Sequence, residues 1–429
     1  MIYQNATKQE LEKELLDLKD RFEEYKILNM KLDMSRGKPS GEQLDLSEGL
    51  LTTVTQNEQC VTENGLDARN YGGFDGIPEI KRLFSEVLGV PADMLMIGGV
   101  SSLNLMYDTF ARNMIFGAGE GMQPWGKGPI RFLCPSPGYD RHFGVSECFG
   151  AELITVPMTD EGPDMDVVES LVKTDPSIKG IWCVPKYSNP TGVTYSEETV
   201  RRLVSMPTAA PDFRIFWDNA YGIHDLYDEG DTLAEIFSLA KQYGNEDRVY
   251  EFASFAKVTY CGGSVSALAA SPRNLAHAKK YLAKQFICHD KINQLRHARF
   301  FGDLEGLKAH MKKHAALLRP KFEAVIGAFE RKLAVCGVGS WSRPRGGYFI
   351  SLDLPEGTAK RTHALCTELG VVLTPAGATY PYGKDPHDSN LRIAPSYPTP
   401  EDLRSATEVL CLCAKIAACE KEISLRTSD

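Results

Sequence analysis

Apolar residues recur in two alternating rhythms along this chain. Between residues 8 and 28, Leu11, Leu15, Leu18, Phe22 and Tyr25 follow each other at spacings of three and four. That spacing predicts an amphipathic helix packed on its own body or on a partner subunit. Short apolar runs at 94–97, 130–134, 152–156, 180–184, 214–217 and 249–253 read instead as buried strands. Amphipathic stretches at 78–88, 165–173 and 197–206 lie between them, and Leu103, Leu105, Met106, Phe110 and Met114 mark a further helical run. Strand and helix in alternation predict an α/β chain with a mostly parallel sheet covered by helices on both faces. A long helical run over 292–331 is expected to lead into a smaller body, which a helix over 400–417 completes.

In such sheets ligands gather at the carboxyl ends of the strands, and here each end carries polar chemistry. Gly98-Gly99-Val100-Ser101-Ser102 joins a strand to a helix, so unpaired amides and the positive end of a helix dipole can face an anion. Ser101 there is either a phosphate contact or a plain N-cap. Pro135 to His142 follows the next strand, with Tyr139 and His142; Ser188-Asn189-Pro190-Thr191-Gly192, Asp218-Asn219-Ala220-Tyr221 and Ser254-Phe255-Ala256-Lys257 follow later ones. A free lysine has a pKa of about 10.4, so on the order of one in a thousand is a neutral nucleophile at pH 7. Lys257 escapes that limit if its amine is held as an imine to a cofactor aldehyde.

Composition narrows the setting. The chain has 429 residues, 43% hydrophobic and 24% charged, with a net charge of −9. A broad nucleic-acid or anionic-membrane surface is not expected, so any anionic substrate needs locally concentrated cations. The 11 cysteines form no Cys-x-x-Cys pair and have no flanking His pattern. Reduced thiols in the cytoplasm are therefore expected, without a metal site. Residues 1–36 begin polar and lack an apolar core of signal-peptide type.

These motifs resemble the class I/II aminotransferases of the fold-type-I pyridoxal 5′-phosphate (PLP) enzymes. The resemblance runs over about 32–417 and is carried by Ser188 to Gly192, Asp218-x-x-Tyr221, Ser254-x-x-Lys257 and Asn390-Leu391-Arg392. Tyr71-Gly72-Gly73-Phe74-Asp75-Gly76-Ile77-Pro78, the Ser101-Ser102 segment and Asn293 to His297 are most similar to the aspartate aminotransferase-like subgroup 1c. The resemblance implies a large PLP domain over 50–321, with a mostly parallel seven-stranded sheet sandwiched by helices. It implies a smaller α/β domain made of 1–49 and 322–429, and a homodimer whose sites are shared across the interface.

Residue by residue, it makes Lys257 the Schiff-base lysine and proton shuttle, and Asp218 the carboxylate that pairs with the pyridinium nitrogen. Asn189 and Tyr221 match the groups that hydrogen-bond the ring's phenolic oxygen, Tyr139 the aromatic stacked on the ring, and His142 a residue behind Asp218 that orients it. Ser101, Ser102, Ser254 and Ser264 match phosphate contacts, and Tyr71 a tyrosine reaching the neighbouring subunit's phosphate. Arg392 matches the arginine that grips the substrate α-carboxylate, assisted by the backbone of Gly37. Arg345 to Phe349 resembles a structural Gly-Gly-x-Phe strand of the small domain. One departure stands out: Val265 occupies the position, eight residues after Lys257, where the common pattern has a phosphate-binding arginine.

The implied activity is ping-pong transfer of an amino group from an L-amino acid, with aspartate expected, to a 2-oxo acid, with 2-oxoglutarate expected. Two other outcomes share this fold: a PLP lyase and a non-catalytic PLP-sensing module. A dicarboxylic donor needs a second cation, and Arg36, Lys38, Lys291 and Arg296 are the candidates, Arg36 or a cation near Lys291 foremost.

Overall fold

The computed structural model describes residues 1–426. Among them, the main sheet runs in the order Leu95–Ile97, Ser266–Ala270, Val249–Ser254, Arg214–Asp218, Ile178–Cys183, Arg131–Ser136, Glu152–Thr159 and Gly162–Pro163. The five strands from Val249–Ser254 to Glu152–Thr159 are parallel. The remaining pairings are antiparallel. Seven strands make the implied sheet, and the two-residue return Gly162–Pro163 adds an eighth at one edge.

Successive strand residues feed opposite cores, which is why these strands read as continuous apolar runs. Ile215 and Trp217 join Ile80, Phe84, Val168 and Leu203 on one face. Phe216 between them joins Trp182, Phe132, Phe110, Phe143 and Leu275 on the other. Ser266–Ala270 escaped the sequence reading because Ser-Ala-Leu-Ala-Ala offers little β-branched or aromatic signal. Its neighbours on both sides nevertheless bury it completely.

Helix Lys8–Ile27 packs Leu11, Leu18 and Phe22 on its own chain, in one core with Phe322, Phe329 and Val409. That third core also holds a three-stranded antiparallel sheet, Ser340–Trp341, Ile350–Asp353 and Asn390–Ile393. The final helix runs beyond its expected end, over Pro400–Leu425. The helical run expected over 292–331 is two helices, Lys291–Phe301 and Leu304–Lys332. Gly302 at φ 77° ends the first, and Asp303 caps the second by accepting from Gly306 N at 2.9 Å. No described helix is long and apolar enough to cross a membrane.

Because the central strands are parallel, their carboxyl ends share one edge. The loop after Val249–Ser254 is fixed there by helix Lys291–Phe301. Asn293 Nδ2 donates to Gly263 O at 2.8 Å and to Ser264 O at 3.0 Å. His297 Nδ1 must donate to Asn293 O, 2.8 Å away, since a carbonyl only accepts; Nε2 then accepts from the Thr259 hydroxyl at 2.9 Å. This arrangement needs a neutral ring, and burial pushes the His297 pKa down to about 4.

An unfolded histidine titrates near 6.5, so below that pH the unfolded chain takes up protons that the folded chain refuses. The stability held by the neutral ring is therefore complete above pH ~6.5 and is lost as pH falls toward 4. Between pH 6.5 and 5 this one group should remove about 2 kcal/mol. Denaturant unfolding of His297→Asn at pH 7 and pH 5 should show a smaller loss than the parent by about that amount; an equal loss contradicts the assignment.

Candidate active site

The shared carboxyl edge opens into a cavity of about 580 Å³, closed on its other side by Phe349, Thr374 and Arg392. Nearly every strand-end residue singled out in the sequence lines it: Ser101 and Ser102, Tyr139, Asn189, Asp218 and Tyr221, Ser254 and Lys257. Arg36 and Gly37 line it as well. Adjacent parallel strands deliver Asn189, Asp218 and Lys257 side by side, although they are far apart in sequence.

Asp218 is the deepest charge, 3% exposed. Its Oδ2 lies 2.9 Å from His142 Nε2, and that imidazole is stacked on the Trp182 indole with centroids 4.5 Å apart. Asp218 Oδ1 is buried with no hydrogen-bond partner. An orphaned carboxylate oxygen facing a cavity calls for a donor from a ligand, and a protonated ring nitrogen supplies one. The residues present therefore fit PLP. Burial, with the Asp218 charge next in importance, raises the Tyr221 pKa, so its phenol stays protonated and able to donate. Burial likewise raises that of Tyr139.

Lys257 Nζ stands 5.2 Å from the Tyr221 ring centroid and 5.8 Å from that of Tyr348. The Lys257 carbonyl accepts from the Tyr348 hydroxyl at 3.3 Å, and Gln43 Nε2 donates to that hydroxyl at 2.9 Å. The segment read as a structural Gly-Gly-x-Phe strand thus ends just before strand Ile350–Asp353 and places Tyr348 and Phe349 at the lysine and the cavity wall. Gly37 packs on the same wall: a Cβ there would lie 2.4 Å from Phe349 Cζ, so a larger residue would have to displace that ring. Burial, with the positive charge of Lys257 adding to it, drives the neighbouring His224 down to about 3.

Arg392 is 7% exposed. Its Nη1 donates to Asp140 Oδ1 at 2.8 Å and approaches Asn189 Oδ1 at 3.4 Å; its Nη2 approaches Thr374 Oγ1 at 3.4 Å. Asp140 and Thr374 were absent from the sequence reading. Asp140 lies inside the flagged segment 135–142, yet nothing local announces a partner 252 residues away.

One expected contact is not brought into this cavity: Ser264 does not line it, and its Oγ donates to Val265 O at 3.3 Å. Tyr71, expected at a neighbouring subunit's phosphate, lies outside this chain's own cavity and is 71% exposed. Val265 is buried at 2%, so the departure from the arginine pattern is a core residue. Ser101 is an N-cap as well as a lining residue, its Oγ accepting from Leu103 N at 3.1 Å. Among the candidate distal cations, Arg36 and Lys38 line the cavity and Lys291 and Arg296 do not. Lys38 is placed over the Tyr397 ring at 3.6 Å, whereas Lys291, 3% exposed, has its Nζ 3.1 Å from Cys288 Sγ.

Comparison with known proteins agrees with this geometry. The family model for aspartate amino-transferase matches residues 6–426. A putative aminotransferase of Mycolicibacterium smegmatis is 48% identical, over 93% of this chain and 94% of its own length. An aspartate aminotransferase of Corynebacterium glutamicum is 47% identical over 94% and 93%. The crystal structure of an aspartate transaminase from Corynebacterium glutamicum superposes with a TM-score of 0.96 at 45% identity, covering 98% of this chain and 99% of that one. On fold, cavity and sequence together, the chain belongs to the aspartate aminotransferase family and is an aminotransferase that works with pyridoxal 5′-phosphate.

Proposed function

We propose that this enzyme moves the amino group of aspartate to 2-oxoglutarate in two half-reactions at the one cavity. The observation that carries the reading is the convergence of Lys257, the half-satisfied Asp218 and Arg392 on it. The 47% identity to an aspartate aminotransferase supports the choice of donor. When bound, PLP supplies the electron sink that makes the bond from substrate Cα to hydrogen acidic.

The chain's own groups do the rest. Asp218 holds a proton on the ring nitrogen, and His142 fixes that carboxylate from behind. At an effective dielectric near 20 and ~4 Å, such a pair attracts by about 4 kcal/mol before desolvation is counted. Tyr221 and Asn189 donate to the phenolic oxygen, Tyr139 covers the ring face, and Ser101, Ser102 and Ser254 receive the phosphate at the start of helix Ser102–Phe116. Lys257 Nζ would take the proton from substrate Cα and deliver it two bonds away, across the amino nitrogen, to the carbon contributed by the cofactor aldehyde. Arg392 grips the α-carboxylate through a planar fork, which aligns the Cα–H with Lys257.

Arg36 is the cation we assign to the distal carboxylate of aspartate. It is exposed at the cavity and has no ion pair among the described residues. We further read residues 50–321 and 1–49 with 322–429 as the two working domains, and the enzyme as a cytoplasmic homodimer. The exposed Tyr71 supports the dimer, because a partner's cavity would give it a phosphate to reach. The free cysteines support the compartment.

Adding aspartate to the PLP-loaded enzyme should convert its visible absorbance to that of the pyridoxamine form, and 2-oxoglutarate should reverse the change; absorbance lost without reversal indicates lyase chemistry instead. Arg36→Gln should lower the ratio of kcat/KM for aspartate to that for an apolar amino acid by about tenfold or more. An unchanged ratio removes Arg36 from that role.

A further inference from the structure

The cavity already contains a carboxylate for Arg392. Nη1 donates to Asp140 Oδ1 at 2.8 Å, whereas Asn189 and Thr374 stand at 3.4 Å and Arg392 Nε, also buried, has no partner. The contact is made through one carboxylate oxygen, so the fork of the guanidinium is only partly used. Exposure is unequal too: 7% for the Arg392 side chain against 35% for that of Asp140. An anion one-third open to solvent can leave a buried cation for water at modest cost, whereas the cation left behind needs another anion. Asp140 also has somewhere to go. It starts helix Asp140–Cys148, where the dipole favours negative charge, and its neighbour Arg141 is exposed at the same cavity, its guanidinium without an ion pair or hydrogen bond among the described residues.

We propose that Asp140 is a stand-in for the substrate α-carboxylate: it neutralises Arg392 between turnovers and is displaced toward Arg141 and solvent when a substrate carboxylate takes the guanidinium through two oxygens. This rests on the assignment of Arg392 above. The exchange trades a one-oxygen contact for a bidentate one, so it favours binding while keeping the buried charge compensated throughout. Since every amino acid and 2-oxo acid carries the displacing group, Asp140 should weaken all of them by one common factor, whatever their side chain. Asp140 is in this sense a specificity-determining residue that demands a carboxylate able to use both edges of Arg392.

The test uses the PLP-loaded enzyme. Asp140→Asn should lower the KM for aspartate and for 2-oxoglutarate by a similar factor, about tenfold or 1.4 kcal/mol, and raise kcat/KM through KM. A KM that rises or stays put, or a response by one substrate alone, means that Asp140 merely orients Arg392 and overturns the proposal. If the Asn variant does not fold, Asp140→Ser carries the same expectation. Arg392→Gln serves as control and should raise both KM values. Should it not, the assignment of Arg392 is wrong; should it do so while Asp140→Asn changes nothing, only the displacement is wrong.

Discussion

Burying a carboxylate to 3% exposure is costly unless its oxygens are met, and Asp218 is met by the protein at one of them. Isolated burial of such a charge costs several kcal/mol. The chain goes halfway: His142, immobilised against Trp182, secures Oδ2, and Oδ1 is left to the ligand. That division makes the site selective for a cationic ring and gives it geometry before anything binds. Nearby phenols stay protonated by burial, so they donate where the ring oxygen needs donors.

Placement follows from strand direction. Four neighbouring parallel strands end at one edge, and the antiparallel pair Leu95–Ile97 and Ser266–Ala270 turns back so that Ser101 and Ser102 reach the same edge. Helix Lys291–Phe301 then clamps the loop after Lys257 through Asn293 and a neutral His297. The lysine is steadied through its backbone: the Tyr348 hydroxyl, itself held by Gln43, donates to its carbonyl and leaves the amine to face the cavity. Arg392 arrives from a different core altogether, on strand Asn390–Ile393, so the cavity closes only when that core packs against the sheet.

Much of this was legible in the sequence because the signals are local. Continuous apolar runs marked strands buried on both faces, as Phe216 between Ile215 and Trp217 shows. The amphipathic spacing over 78–88 marked a helix, and polar clusters after strands gave the cavity its lining. What escaped was non-local or weakly encoded. The strand Ser266–Ala270 is made of small residues whose state is imposed by neighbours, and the break at Gly302 is one residue in an otherwise helical pattern. The pairing of Asp140 with Arg392 links distant segments that share no local pattern. Ser264 was expected at the phosphate from the family resemblance, yet its hydroxyl is turned to a backbone carbonyl.

The central claim is electrostatic: the negative charge of Asp218, and not its shape, is what the bound cofactor requires. Asp218→Asn preserves the size of the side chain and removes the charge. In the PLP-loaded variant, the single-turnover rate with aspartate should fall by at least about tenfold and by up to about 10³, the ceiling set by an attraction of about 4 kcal/mol before desolvation. A rate within twofold of the parent would contradict the account.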